Sequence, residues 1–205
     1  MNILKSLPYK VLLAEAIGTY LLTGMVLHSI GSGTDFFIKT PFLAALTLGL
    51  MVATIGPISG CHINPAVSIA LATLNKITWK RAAGYVVAQM LGAFVAGITI
   101  INFLPDMMFS QAPMNFDAIA AEMLGAGLLM WGISSIIHKE KDQQLLAPFV
   151  IGGSLLLGIA GAVPHSAGIL NPAVAIMIVG LDPIYIISPI LGAIIAAQLY
   201  RYLWK

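Results

Sequence analysis

The sequence predicts an all-α membrane protein, with six transmembrane helices and two re-entrant half-helices arranged as an inverted internal repeat. Composition is the first observation: 59% of the 205 residues are hydrophobic and only 9% are charged, and the mean hydropathy is +0.96, outside the range of a soluble domain of this length. The second is that six stretches reach the roughly 20 apolar residues needed to cross a hydrocarbon core of about 30 Å. The third is the tripeptide Asn-Pro-Ala, found at Asn64-Pro65-Ala66 and again at Asn171-Pro172-Ala173, each copy 49 residues after a glutamate set in apolar sequence, Glu15 and Glu122. Both pairs are offset by 107, and Ala14, Gly18, Leu21 and Leu22 return in register as Ala121, Gly125, Leu128 and Leu129. The chain is a tandem duplication.

The spans are predicted at 10–30, 41–57, 81–104, 116–137, 145–163 and 184–203, in a single domain over 1–205 whose repeats cover about 8–104 and 115–204. Lys5 and Lys10 precede the first span as in a signal peptide. That span nevertheless carries Glu15, lacks a small-residue cleavage site and belongs to the repeat, so it is expected to stay in the mature protein. Apolar pieces at 65–75 and 172–181 follow the Asn-Pro-Ala copies and are too short to span. They read as half-helices, tolerated at membrane depth only where protein or a water-filled cavity covers their backbone. Beyond them Met90-Leu91-Gly92-Ala93 resembles Ile190-Leu191-Gly192-Ala193 at an offset of 100, so seven residues are gained or lost around Lys76 to Arg81. Three spans per repeat make the halves antiparallel and bring their equivalent elements face to face near the midplane. Gly24, Gly84, Gly97 and Gly158 are expected to permit close helix packing. Trp79, Trp131, Trp204, Tyr9, Tyr185 and Tyr202 are expected to anchor at the interfaces.

Basic residues orient the bundle. Lys5, Lys10, Lys76, Lys80, Arg81, Lys139, Lys141, Arg201 and Lys205 fall on one side and only Lys39 on the other, with Asp35, Asp106 and Asp182. Short cytoplasmic loops carry the excess of Lys and Arg, so both termini are expected in the cytoplasm and the protein in the plasma (inner) membrane. The net charge of +2 reflects that topology and gives no reason to invoke nucleic acid. The single cysteine, Cys61, excludes an intrachain disulfide and reads as a small residue in a packed loop. No zinc-binding pair, Gly-rich phosphate loop or Ser/His/Asp set stands out, so no enzyme, cofactor or metal is expected.

The chemistry of Asn-Pro-Ala follows from its residues. Pro suits the first helical position, where its missing N–H is no loss, and Asn then occupies the N-cap. A helix N-terminus carries about half a positive charge and unpaired N–H donors. Two of them at the midplane repel cations and offer donors to neutral solutes. Asparagine carboxamides can keep their oxygen on the backbone and turn N–H groups to the lumen, where an oriented water interrupts a proton-conducting chain. Glu15 and Glu122 lie within spans, where an ionisable group is costly and faces the bundle interior with partners.

Ala14-Glu15-Ala16-Ile17-Gly18-Thr19, the segment from Ser59 to Val67, Gln89-Met90-Leu91-Gly92-Ala93, the segment from Gly168 to Ala173, and Pro189-Ile190-Leu191-Gly192-Ala193 together resemble the aquaporin (major intrinsic protein) family over almost the whole chain. The resemblance implies a right-handed bundle of six helices and two half-helices, assembled in the bilayer as a homotetramer with one pore per subunit. It also implies that Glu15 and Glu122 hold the backbone of the re-entrant loops, with a proton relay in a coupled transporter as the alternative. His62 becomes a pore-lining residue, a pH gate being the other reading. His165 is expected at the surface.

The chain departs from the family at the constriction, where arginine usually follows the second Asn-Pro-Ala and this sequence has Val174. The family mapping makes Gly168, Ile159 and either Leu48 or Ala44 the other walls. Such a ring is apolar, removes a donor and a charge, and penalises water. The expected activity is passive permeation of water or small uncharged solutes, with glycerol, urea, ammonia, hydrogen peroxide and dissolved gas all open. An inverted-repeat secondary transporter is the alternative from another class.

Overall fold

The computed structural model describes residues 8–31, 40–103, 113, 115–139 and 141–204, the side chains of 141–143 excepted. Lys5, Lys39, Lys205, Asp35 and Asp106, and the side chain of Lys141, therefore lie outside the described residues. Six long apolar helices run α1 (Tyr9–Gly31), α2 (Thr40–Ser59), α4 (Trp79–Phe103), α5 (Phe116–Ile137), α6 (Ala147–Ala162) and α8 (Pro183–Trp204), with short helices α3 (Pro65–Thr73) and α7 (Pro172–Ile178) between them. All six spans occur where the sequence puts them, to within three residues. The exceptions teach something local. α2 continues past Pro57 to Ser59, an internal proline of the kind that membrane helices tolerate. α6 is entered through a 3-10 turn over Lys141–Leu146. The half-helices stop at Thr73 and Ile178, shorter than the apolar runs; Asn75, at φ 58°, turns the chain after the first.

The helix starts carry their own reasons. Asn115 caps α5, its Oδ1 accepting from Ala118 N at 2.9 Å, and Asp182 caps α8, accepting from Ile184 N at 2.8 Å. Each satisfies a donor that the first turn leaves unpaired.

Packing repeats with the sequence: α1 lies on α4 as α5 lies on α8, while α2 lies on α6 across the two halves. At the two equivalent crossings a Cβ on Gly92 would sit 2.1 Å from Ala16 O, and one on Gly192 would sit 2.0 Å from Met123 O. Glycine is required there because backbone meets backbone. Gly158 behaves as expected, its Cβ position lying 2.6 Å from Gly125 O. Gly24 faces open space and Gly97 abuts only the flexible end of Met177, so neither creates a close approach. The outward faces keep large apolar side chains such as Leu46, Leu91, Leu124 and Leu157 exposed, as a lipid environment demands.

Candidate functional site

Each re-entrant loop is built on a carboxylate. Glu15 Oε1 accepts from Ser59 Oγ at 2.6 Å and His62 N at 3.0 Å, and Oε2 from Ile63 N at 2.7 Å and Gln89 Nε2 at 2.8 Å. Glu122 Oε1 accepts from Ser166 Oγ and Ile169 N, both at 2.9 Å, and Oε2 from Leu170 N at 2.7 Å. Both carboxylates are fully buried. Backbone donors that would otherwise be orphaned at membrane depth are thus paired.

These bonds hold the chain in a conformation that L residues rarely adopt. Ile63 stands at φ 39° and Leu170 at φ 55°, in the left-handed region that is a steric outlier for a β-branched residue. Persistence there requires surroundings that over-determine it. The result is useful, because the two strained residues present their carbonyls to the opposite loop. Asn64 Nδ2 donates to Leu170 O at 3.0 Å, and Asn171 Nδ2 donates to Ile63 O, also at 3.0 Å. Each asparagine Oδ1 meanwhile caps its own half-helix, accepting from Ala66 N at 2.9 Å and Ala173 N at 3.0 Å. One N–H of each carboxamide is spent on the cross-loop bond, leaving one for the lumen. Two helix N-termini are thereby pinned nose to nose.

Both asparagines line a cavity of about 1430 Å³ that reaches from Ile30, Thr40 and Val163 at one face to Lys76, Arg81 and Gln144 at the other. Ala44, Leu48, Ile159, Gly168 and Val174 line its first half and His62 its second. A Cβ on Gly168 would meet Ile159 Cγ2 at 3.3 Å, so these two walls adjoin. Pro65, Ala66, Pro172 and Ala173 are buried behind the asparagines. Glu15 and Glu122 do not line the cavity. His165 is exposed at the surface.

Sequence reasoning leaves out several residues of the loop scaffold. Ser59 Oγ accepts from Cys61 N at 3.0 Å as Ser166 Oγ accepts from Gly168 N at 2.9 Å. Tyr85 donates to Ser59 O at 2.6 Å. Tyr185 donates to Pro113 O and accepts from Ala167 N, and it is fully buried, which corrects its assignment as an interfacial anchor. Trp79, Trp204, Tyr9 and Tyr202 are exposed. The signal for the tyrosines is the offset of 100 that relates Gly92 to Gly192 and equally Tyr85 to Tyr185; the serines follow the offset of 107.

On the first loop Gln89 Nε2 also donates to Ser68 Oγ at 2.9 Å, and Ser68 Oγ lies 3.1 Å from His62 Nδ1. The Ser68 hydroxyl, one donor and two acceptor sites, thus joins Gln89 to the His62 ring.

An inverted pair of re-entrant half-helices crosslinked around a through-going cavity defines the class, a membrane channel for water and small solutes. The profile of the family described as major intrinsic protein matches residues 3–200, and the chain belongs to that family. It is 31% identical to a probable aquaporin NIP7-1 of Arabidopsis thaliana, over 95% of this chain and 76% of that protein. Identity is also 31% with a probable NIP-type aquaporin of Nicotiana alata, over 93% of this chain and 76% of that one. The structure resembles the X-ray structure of the aquaglyceroporin from Plasmodium falciparum with a TM-score of 0.71, covering 94% of this chain and 95% of that one at 20% identity. That likeness speaks to the fold. Among the described residues no group of acidic, histidine or cysteine side chains could hold a metal ion.

Proposed function

We propose that the chain is a passive pore whose filter favours small uncharged solutes with some apolar character, of which glycerol is the test case, over water. The observation that carries this is Val174, buried in the cavity wall with Ile159 beside Gly168. Valine offers a passing water no hydrogen bond, so water loses partners there while a methylene-bearing solute loses fewer. The relatives named aquaporins keep water among the candidates.

The fourth wall is better assigned to Ala44 than to Leu48. A Cβ on Gly152 would lie 2.7 Å from Ala45 O and one on Gly49 2.9 Å from Pro148 O, so α2 and α6 run antiparallel and Ala44 is the nearer to the level of Ile159. Alanine there widens the ring.

Coupled transport is disfavoured because both intramembrane carboxylates face loop donors and not the cavity. Lys10, Lys76, Lys80, Arg81, Lys139 and Arg201 sit at the face that also holds the start of α1 and the end of α8, and the positive-inside rule supports placing that face in the cytoplasm. The family resemblance supports a homotetramer.

The test is stopped-flow osmotic shrinkage of liposomes holding the wild type, Val174→Arg or Asn171→Leu, with water and with glycerol. Glycerol flux well above that of empty liposomes, reduced by Val174→Arg and abolished by Asn171→Leu, is the expected result. Rapid water flux with no glycerol flux overturns the filter assignment.

A further inference from the structure

The position after the second Asn-Pro-Ala is the uncharged Val174, while cationic side chains line the opposite mouth of the cavity. The cavity wall at the level of Ala44, Ile159 and Val174 is apolar. At the opposite mouth Arg81 and Lys76 line the same cavity, and Arg81 is half-buried and held in place. Its Nε and Nη2 donate to the Tyr85 hydroxyl at 3.0 and 2.7 Å, and that hydroxyl donates onward to Ser59 O, at the root of the first loop. The acceptor is a neutral phenol, so these bonds fix the guanidinium without cancelling its charge.

Helix stability does not account for the arrangement. Arg81 is the third residue of α4, and a cation is disfavoured at a helix N-terminus, which is itself partly positive. The helix dipole and the side chain therefore add, and their field is focused where low-dielectric walls confine it. Nor is it a consequence of the repeat. Tyr85 is matched by Tyr185 at the same offset that matches Arg81 to Leu181, which is exposed and apolar.

We propose that Arg81 is a selectivity residue that supplies, at this mouth, the cationic barrier absent at Val174, so that small cations, protons included, are turned away before they reach the asparagine pair. Lys76 reinforces it from the same wall. Neutral solutes pass because the barrier is electrostatic and the guanidinium is drawn back onto Tyr85. A residue that merely propped Tyr85 would be sensitive to the shape of its bonds and indifferent to its charge.

This inference rests on the neutral-solute reading, and one set of vesicles separates the two. Liposomes loaded with a pH-sensitive dye are given a potassium diffusion potential, and proton leak is recorded beside glycerol flux for the wild type, Arg81→Gln and Arg81→Lys. Arg81→Gln should keep glycerol flux and raise proton leak about tenfold, the effect of one charge acting over roughly 10 Å at an effective dielectric constant of about 20. Arg81→Lys, which keeps the charge and loses the forked bond, should leak like the wild type. Unchanged leak in a glycerol-conducting Arg81→Gln overturns the barrier alone. A wild type that moves neither glycerol nor water faster than empty liposomes overturns the pore reading and this inference with it. Should Arg81→Gln fail to reconstitute, the wild type decides: raising salt shortens the screening length from about 30 Å at 0.01 M to about 3 Å at 1 M. Proton leak must then rise, and a leak insensitive to salt refutes the proposal.

Discussion

The two re-entrant loops share one scaffold and differ in what they show the lumen. Glu15 and Glu122 accept from the same two backbone positions, Ser59 and Ser166 brace the same turn, and Ile63 and Leu170 adopt the same strained backbone. Even the residue after the motif is shared, Val67 and Val174. Around this frame His62, Ser68, Gln89 and Arg81 on the first side correspond to Ile169, Ala175, Pro189 and Leu181 on the second. The parts that agree hold two helix N-termini at the midplane, a task that permits little variation. The parts that disagree line or support the two mouths, where each half meets a different solution and can be tuned by itself.

Removing a carboxylate should have the largest effect and should be unequal between halves. Glu15→Ala strands four buried donors and Glu122→Ala two, since Ser166 Oγ keeps Ala162 O as an acceptor, each unpaired group costing about 1–3 kcal/mol. We expect both variants to lose solute flux and to unfold at lower temperature in detergent, Glu15→Ala lower than Glu122→Ala, as followed by fluorescence-detected size exclusion. A milder Glu15→Ala would mean that Gln89 and His62 find substitutes and that the first loop is not the more heavily braced.

The helix crossings come next, and here the halves should behave alike. Gly92→Ala and Gly192→Ala each push a methyl onto a backbone carbonyl, and overpacking of this kind costs about 1–3 kcal/mol. Gly24→Ala, which meets open space, should leave the unfolding temperature unchanged. A wide gap between Gly92→Ala and Gly192→Ala would break the twofold correspondence of the packing.

Those glycines mark what the sequence could and could not reveal. The spans, the half-helices and the asparagine caps are legible because hydropathy and the Asn-Pro geometry are local properties. The repeat offsets also hold the information that Gly92 and Gly192, or Tyr85 and Tyr185, are equivalent. That Gly24 is idle while Gly92 is essential is not legible, since it depends on which face of α1 meets α4. Likewise Tyr185 has the composition of an interfacial anchor and becomes a loop brace only because α8 begins beneath the second loop. The cross-loop bonds from Asn64 to Leu170 and from Asn171 to Ile63 join residues more than a hundred apart, and no spacing rule announces them.

Within the proposed filter the contrast is between two residues of one helix. Ala44→Phe should narrow the ring beside Ile159 and Val174 and bring glycerol flux to the level of empty liposomes, with water less affected. Leu48→Ala, about one turn deeper into the membrane, should leave the ratio of the two fluxes unchanged. The reverse pattern in stopped-flow measurements would move the constriction to Leu48.

The smallest effect sharpens the comparison of the loops most directly. Ser68→Ala removes the hydroxyl that joins Gln89 to His62 Nδ1, a neutral hydrogen-bond link worth about 1 kcal/mol. The scaffold bonds to Glu15 do not pass through Ser68, so the channel should fold and conduct. What changes is the imidazole, whose Nδ1 loses its bond to Ser68, and the signature is a shift in the nitrogen resonances of His62 while glycerol flux stays within about twofold of the wild type. The reciprocal change, Ala175→Ser, puts a hydroxyl at a fully buried position of the other loop that is matched by neither an imidazole nor a glutamine, because Ile169 and Pro189 stand there. It should therefore lower the unfolding temperature without altering selectivity. If Ala175→Ser instead proved neutral, the second loop would have room for the polar relay, and its apolar character would be a choice made for the solute and not a demand of the packing.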